Sequence, residues 1–178
     1  VFVPRQVELE RHYTQGEQLQ RDVLKSLIKR GSDTEYGRNH AFSTAKGYED
    51  FSHNVPVNTY EELQGDIDRM RHGERDILWP GKVKWYAKSS GTTHDKSKFI
   101  PVSPRGLKHI HYKGGTDSVA IYLHRHHPES RLVEGKALIL GGSHQPDANL
   151  PQSLAGDLSA ILLENTSSFV NHFRVPSK

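Results

Sequence analysis

Residues 82–102 read KVKWYAKSSGTTHDKSKFIPV, and this stretch decides the fold class. Val83, Trp85 and Ala87 alternate with Lys82, Lys84, Tyr86 and Lys88, the period of two that marks a strand. Phe99-Ile100-Pro101-Val102 reads as a second short strand. Between them lies Ser89-Ser90-Gly91-Thr92-Thr93, with Lys96 and Lys98 after it. A glycine lets the backbone approach a ligand closely, and small neighbours leave successive amide N–H groups facing outward as an anion-binding concavity. The hydroxyls of Ser89, Ser90, Thr92 and Thr93 add donors, and a lysine supplies charge where triphosphate would otherwise be repelled. The spacing is not GxxxxGK[ST], so P-loop chemistry is not implied. On composition alone the same string also suits an ordinary hairpin turn.

Outward from this stretch, helices alternate with short strands. Upstream, Leu19, Val23, Leu24, Leu27 and Ile28 recur at helical spacing on one face, and Gly31 after Lys29 and Arg30 supplies a stop. Residues 32–57 read as irregular, with an apolar trio of Phe42, Tyr48 and Phe51. Thr59-Tyr60-Glu61-Glu62 is a capping box, in which the threonine hydroxyl satisfies an early amide and Glu62 reaches back. Tyr60, Leu63, Ile67 and Met70 then repeat at helical spacing until Gly73, and residues 77–81 read as a buried segment closed by a turn.

Downstream, Ser103-Pro104 starts a helix with a hydroxyl cap and a proline in the first position. Its expected buried face is Leu107, Ile110, Gly114, Ser118, Ile121 and Tyr122. Residues 136–140 are expected as a third strand running into Gly141-Gly142-Ser143, residues 144–153 as a loop, and residues 157–164 as a short helix. Strands mixed with helices make this an α/β chain, and residues 1–178 read as a single segment.

Composition narrows the classes of function. The 178 residues hold no cysteine, which excludes disulfides, thiolate metal sites and cysteine nucleophiles and fits a reducing, cytoplasmic compartment. Basic residues number 24 and acidic residues 21, spread along the whole length, so no block marks a nucleic-acid binder. No apolar run reaches the roughly 18 residues of a membrane helix. The hydrophobic fraction of 34% and mean hydropathy of -0.72 fit either a thin domain or a piece whose apolar partner surface lies on other sequence, and the second is the expectation.

Residues 89–101, SSGTTHDKSKFIP, resemble the first ATP-binding motif of the auxin-responsive acyl-acid-amido synthetases, part of the adenylate-forming superfamily that includes firefly luciferase. In that motif a Ser-Ser-Gly-Thr-Thr/Ser loop precedes a lysine, an apolar pair and a proline, here Lys98, Phe99-Ile100 and Pro101. The likeness continues upstream in Thr34-Glu35-Tyr36-Gly37-Arg38, in residues 56–63 and in Trp79-Pro80-Gly81, and downstream in Gly141-Gly142-Ser143 and Gly156-Asp157-Leu158. The residue order is more similar to the bacterial branch of the family than to the plant hormone enzymes. Many family loops place glycine after the two Thr/Ser residues, where this chain has His94-Asp95; that imidazole either points to solvent or meets a phosphate when charged.

The resemblance implies the N-terminal part of the large domain of an adenylate-forming ligase. Such an enzyme activates a carboxylic acid with Mg2+ and ATP to an acyl-adenylate, then lets an amino-acid amine attack it. Ser89, Ser90, Gly91, Thr92 and Thr93 would hold phosphate, and Lys98 would be catalytic. The adenine-binding motifs, the acidic residue for Mg2+ and the smaller C-terminal domain come later in the family, so this segment alone is expected to be inactive. The implied partners are a small carboxylic acid, an amino acid and the C-terminal remainder of the same enzyme, with no nucleic acid and no membrane. The alternative is a non-catalytic relative of the fold, or an anion-binding module, without ligase activity.

Other groupings are weaker. His124-Arg125-His126-His127, near His109 and His111, reads as a polar helix end rather than a metal site, because no acidic residues stand at matching spacing. Ser143-His144 with Asp147 has a hydrolase triad's composition but not its GxSxG elbow. Lys82, Lys84 and Lys88 around Trp85 suit a solvated strand face better than a nucleic-acid stripe.

Overall fold

Trp85–Lys88 forms β1, and apolar residues cover both of its faces. The computed structural model describes residues 2–89, 97–132, 134–147 and 150–176. On one side of β1, Tyr86 is fully buried in a cluster with Ile67, Met70, Ile77 and Val83. On the other, Trp85 and Ala87 pack with Val102, Leu107 and Ile161. The alternation read from the sequence therefore has its period but not its polarity: Tyr86 belongs to a second core, not to a wet face. Burial pushes its phenol up to about 12, and its hydroxyl donates to the Val83 carbonyl at 3.2 Å.

The expected second strand is present as β2, Phe99–Val102, antiparallel to β1 with Lys88 opposite Phe99 and Trp85 opposite Val102. The sheet order is β2-β1-β5-β4, where β4 is His144–Asp147 and β5 is Leu150–Gly156. β5 runs parallel to β1 with Leu154 opposite Trp85, and β4 is antiparallel to β5. Residues 144–147 and 150–153, expected as loop, are thus strand. The strand expected over 136–140 is only Ala137–Leu138 (β3), exposed, and it pairs with Arg174–Val175 (β6) outside the main sheet.

Helices cover the sheet. Phe2–Gly31 (α1) ends where Gly31 was expected to stop it, but it is longer than its apolar run and breaks at Gln15. Of the apolar run from Leu19 to Ile28 only Ile28 is buried, while Val23 and Leu27 are exposed. Residues 32–57 hold two helices that the irregular reading missed, Glu35–Asn39 (α2) and Tyr48–Asn54 (α3). Thr34 caps α2 by accepting the Gly37 N–H at 2.9 Å. A Cβ on Gly37 would lie 2.0 Å from the Gly31 carbonyl oxygen, so glycine there lets α2 fold back onto the end of α1.

Tyr60–Arg71 (α4) carries the capping box: the Thr59 N–H donates to Glu62 Oε2 at 2.6 Å, and the Glu62 N–H to Thr59 Oγ1 at 3.4 Å. Ile67 and Met70 anchor α4 on the Tyr86 side of the sheet. Gly73 and Gly81 close the following turns with φ of 95° and 78°, a backbone that favours glycine.

The helix after Ser103 starts as expected, with the Gly106 N–H donating to Ser103 Oγ at 3.0 Å. Pro104–Gly106 (α5) passes into a π-helical stretch, Leu107–Tyr112, and then into Lys113–His126 (α6). The π turn adds a residue to the turn and rotates the face that follows. Leu107 is buried as expected, but Ile110, Gly114, Ser118, Ile121 and Tyr122 are exposed, and inward contacts pass instead to Tyr112 and Ala120. Tyr112 donates its hydroxyl to the Leu162 carbonyl at 2.8 Å. His124, Arg125 and His126 form the basic last turn of α6, and His127 is its C-cap. Leu158–Glu164 (α7) buries Ala160 and Ile161, and Ser168–Asn171 (α8) precedes β6.

Candidate functional site

The β1–β2 hairpin closes on Ser89 and Lys98. The Ser89 N–H donates to the Lys98 carbonyl at 3.0 Å, and the Lys98 N–H to Ser89 Oγ at 3.3 Å. Two of the sequence-derived site residues are therefore paired at the mouth of the loop. Ser90, Gly91, Thr92 and Thr93, with His94, lie outside the described residues.

The Lys98 side chain turns toward α4. Its Nζ lies 2.7 Å from Glu61 Oε1 and 4.9 Å from the centre of the Tyr60 ring. The ammonium in turn holds the Glu61 carboxyl below the usual carboxylate range, chiefly by hydrogen bonding. Beside it, the Phe99 N–H donates to the Tyr60 hydroxyl at 2.8 Å, and the Arg71 guanidinium sits 3.7 Å over the Phe99 ring. Tyr60 and Glu61 were legible in the sequence only as parts of a helix start; their tie to Lys98 crosses from one element to another.

Next to the hairpin opens a groove of about 500 Å³, lined by Lys88, Phe99, Ser143, His144, Gln145, Pro146, Ala155, Gly156 and Asp157. Its far wall joins the two downstream segments singled out in the sequence. The Ser143 N–H donates to Asp157 Oδ2 at 3.0 Å, the Gly142 N–H to Ser159 Oγ at 3.0 Å, and the Asp157 N–H to the Ser143 carbonyl at 2.9 Å. Asp157, the N-cap of α7, thus spends its carboxylate on this neighbour and not on its own helix. A Cβ on Gly156 would meet His144 Cα at 2.5 Å, so the wall closes only with glycine there.

His144 packs edge-on against Trp85, 5.0 Å between ring centres, with Nε2 3.8 Å from Glu164. Its Nδ1 is buried with no hydrogen-bond partner among the described residues. Ser143 meets Asp157 through its backbone, and among the described residues no hydrogen bond joins its hydroxyl to His144, the nucleophile–base contact a triad would need. Among the described residues no group of three or more His, Asp or Glu gathers to hold a metal, and no helix is long and apolar enough to cross a membrane.

Comparison with known proteins gives a consistent picture. A family model described as the GH3 family N-terminal domain matches residues 5–175. The indole-3-acetic acid-amido synthetase GH3.15 of Arabidopsis thaliana is 32% identical over 127 residues, 71% of this chain and 20% of the relative. The indole-3-acetic acid-amido synthetase GH3.6 of the same plant is 33% identical over 89 residues, 49% of this chain and 14% of the relative. Among solved structures, the GH3.15 acyl acid amido synthetase superposes with a TM-score of 0.75 at 26% identity, covering 90% of this chain and 28% of that one. Its complex with 2,4-DB gives 0.77 at 25% identity, over 92% of this chain and 28% of that one. The chain thus spans between 14% and 28% of the length of these relatives.

Proposed function

This chain belongs to the GH3 family, and on that premise we propose that it carries the phosphate-gripping hairpin of an ATP-dependent acyl-acid-amido synthetase. The reaction activates a carboxylic acid as its acyl-adenylate with release of pyrophosphate, and an amino-acid amine then attacks the activated carbonyl. The names of the relatives make indole-3-acetic acid and 2,4-DB the first acids to try. The observation that carries the proposal is the pairing of Lys98 with Ser89 at the base of a hairpin whose Lys88 and Phe99 line an open groove.

In this scheme Ser89, Ser90, Gly91, Thr92 and Thr93 present donors to the β- and γ-phosphates. Lys98 meets the charge that grows on departing pyrophosphate. Positioning and electrostatic stabilisation of this kind make up most of phosphoryl-transfer catalysis, and no covalent enzyme nucleophile is required. The serine and threonine hydroxyls act as donors only. A half-exposed lysine with one exposed carboxylate partner fits an anion site, because an ion pair at the surface is weak and yields to a more highly charged ligand. Mg2+ would neutralise phosphate charge when bound; its ligands are not assigned to described residues, and no step is derived through it.

Acid-dependent exchange of labelled pyrophosphate into ATP by the full-length protein tests the proposal. Exchange that requires indole-3-acetic acid or 2,4-DB supports it. Amide ligation without any exchange would contradict activation through an adenylate.

A further inference from the structure

Lys98 lies at the entry to a strand that has one free edge. Among the described residues β2 has β1 as its only neighbour, so its alternate positions, Phe99 and Pro101, face away from the sheet, and of these only Phe99 has an N–H. The Tyr60 hydroxyl meets that N–H at 2.8 Å, 39 positions away in sequence. The same tyrosine turns its ring toward the Lys98 ammonium, 4.9 Å from the ring centre. One side chain thus holds the backbone of residue 99 and faces the charge of residue 98.

Tyr60 is itself well fixed. It is the first residue of α4, directly after the Thr59 cap, and it packs against the Ile67–Met70–Tyr86 core. Farther along the same helix, Arg71 lies over the Phe99 ring at 3.7 Å. The helix therefore grips Phe99 at its backbone and at its ring. Glu61 differs, because its pair with Lys98 is largely exposed and loosely held.

We infer that Tyr60 is a positioning residue for Lys98: its hydroxyl pins the free edge of β2 so that the lysine stays aimed when the loop takes up phosphate. This rests on the phosphate-gripping role proposed above. A preorganised donor stabilises developing charge without reorganising at the moment of reaction, so a loosened base lowers the rate before it lowers binding.

The test compares wild type, Tyr60→Phe and Lys98→Ala in the full-length protein with indole-3-acetic acid or 2,4-DB as the acid, whichever supports exchange. Tyr60→Phe keeps the ring and removes only the acceptor. Expected are faster hydrogen exchange at the Phe99 amide and a thermal midpoint lowered by no more than the few degrees that one lost hydrogen bond costs. The kcat of adenylation should fall about threefold to tenfold, the scale of one lost hydrogen bond, with KM for ATP within about twofold. Attack of the amine on supplied acyl-adenylate should keep its rate. Wild-type adenylation in Tyr60→Phe, with Lys98→Ala impaired, overturns the positioning role and leaves the phosphate reading standing. A lowered thermal midpoint with both half-reactions falling together overturns it in favour of a purely structural contact. Wild-type adenylation in Lys98→Ala removes the phosphate reading itself.

Discussion

A Cβ added at Gly142 would lie 1.9 Å from the Asp157 Oδ2 that accepts the Ser143 N–H, so the glycine and the aspartate can share this wall only while position 142 has no side chain. The Asp157 Cβ would also be 2.6 Å away, which leaves no easy rotation as an escape. Gly142→Ala should therefore destabilise the fold by about 1–3 kcal/mol, as overpacking typically does. A denaturant midpoint that falls with an unchanged m-value checks this; an unmoved midpoint would mean that the two segments do not meet this closely.

The helix at Thr59 offers a local test. Both halves of the capping box are formed, so Thr59→Ala should cost about 1 kcal/mol. The check is equilibrium unfolding, and an unchanged midpoint would place the helix start elsewhere.

The π turn makes a paired prediction. Ile110 is exposed and Tyr112 reaches the Leu162 carbonyl, the reverse of what regular helical spacing implies. Ile110→Ser should stay within about 0.5 kcal/mol of wild type, while Tyr112→Phe should cost about 1 kcal/mol. A larger loss at Ile110 than at Tyr112 in the same unfolding assay would restore the unbroken α-helical register.

A pH dependence follows from the clamp between α1 and α6, where the Arg5 guanidinium forms a two-pronged pair with Asp117. Hydrogen bonding from Arg5 is the main reason the Asp117 carboxyl lies below its usual range. A lowered folded value contributes stability above the ordinary carboxylate value of about 3.9, and that stability is lost as pH falls through the lowered value. Asp117→Asn should thus cost about 1–3 kcal/mol at pH 7, and the gap to wild type should close on going below about pH 4. Stability measured across that range decides it, because a gap that persists in acid would not be electrostatic.

What the sequence made legible was mostly what lies close together along the chain. The Thr59 box, the Ser103-Pro104 start and the Ser89–Lys98 hairpin each depend on residues within a few positions, and each is present in the fold. The strands at His144–Asp147 and Leu150–Gly156 escaped notice because Pro146 and Pro151 interrupt any alternation; β5 is strand because the edge of β1 pairs with it. The face of the long helix was misread from Ile110 onward because its period was taken as constant. At the candidate site, Lys98 could be singled out from the sequence, whereas its contact with the Tyr60 ring could not. Tyr60 serves a helix start in sequence and a strand edge in space.

The most direct test of the account is Lys98→Ala in the full-length protein, with the two half-reactions measured separately on one folded preparation. If Lys98 meets the charge on departing pyrophosphate, acyl-adenylate formation should fall by about 10²–10³, the usual cost of losing one preorganised donor. Amine attack on supplied acyl-adenylate should stay near the wild-type rate, because pyrophosphate has left by then. Wild-type rates in both steps, or equal losses in both that track the fraction of folded protein, would contradict the phosphate-gripping role of this hairpin.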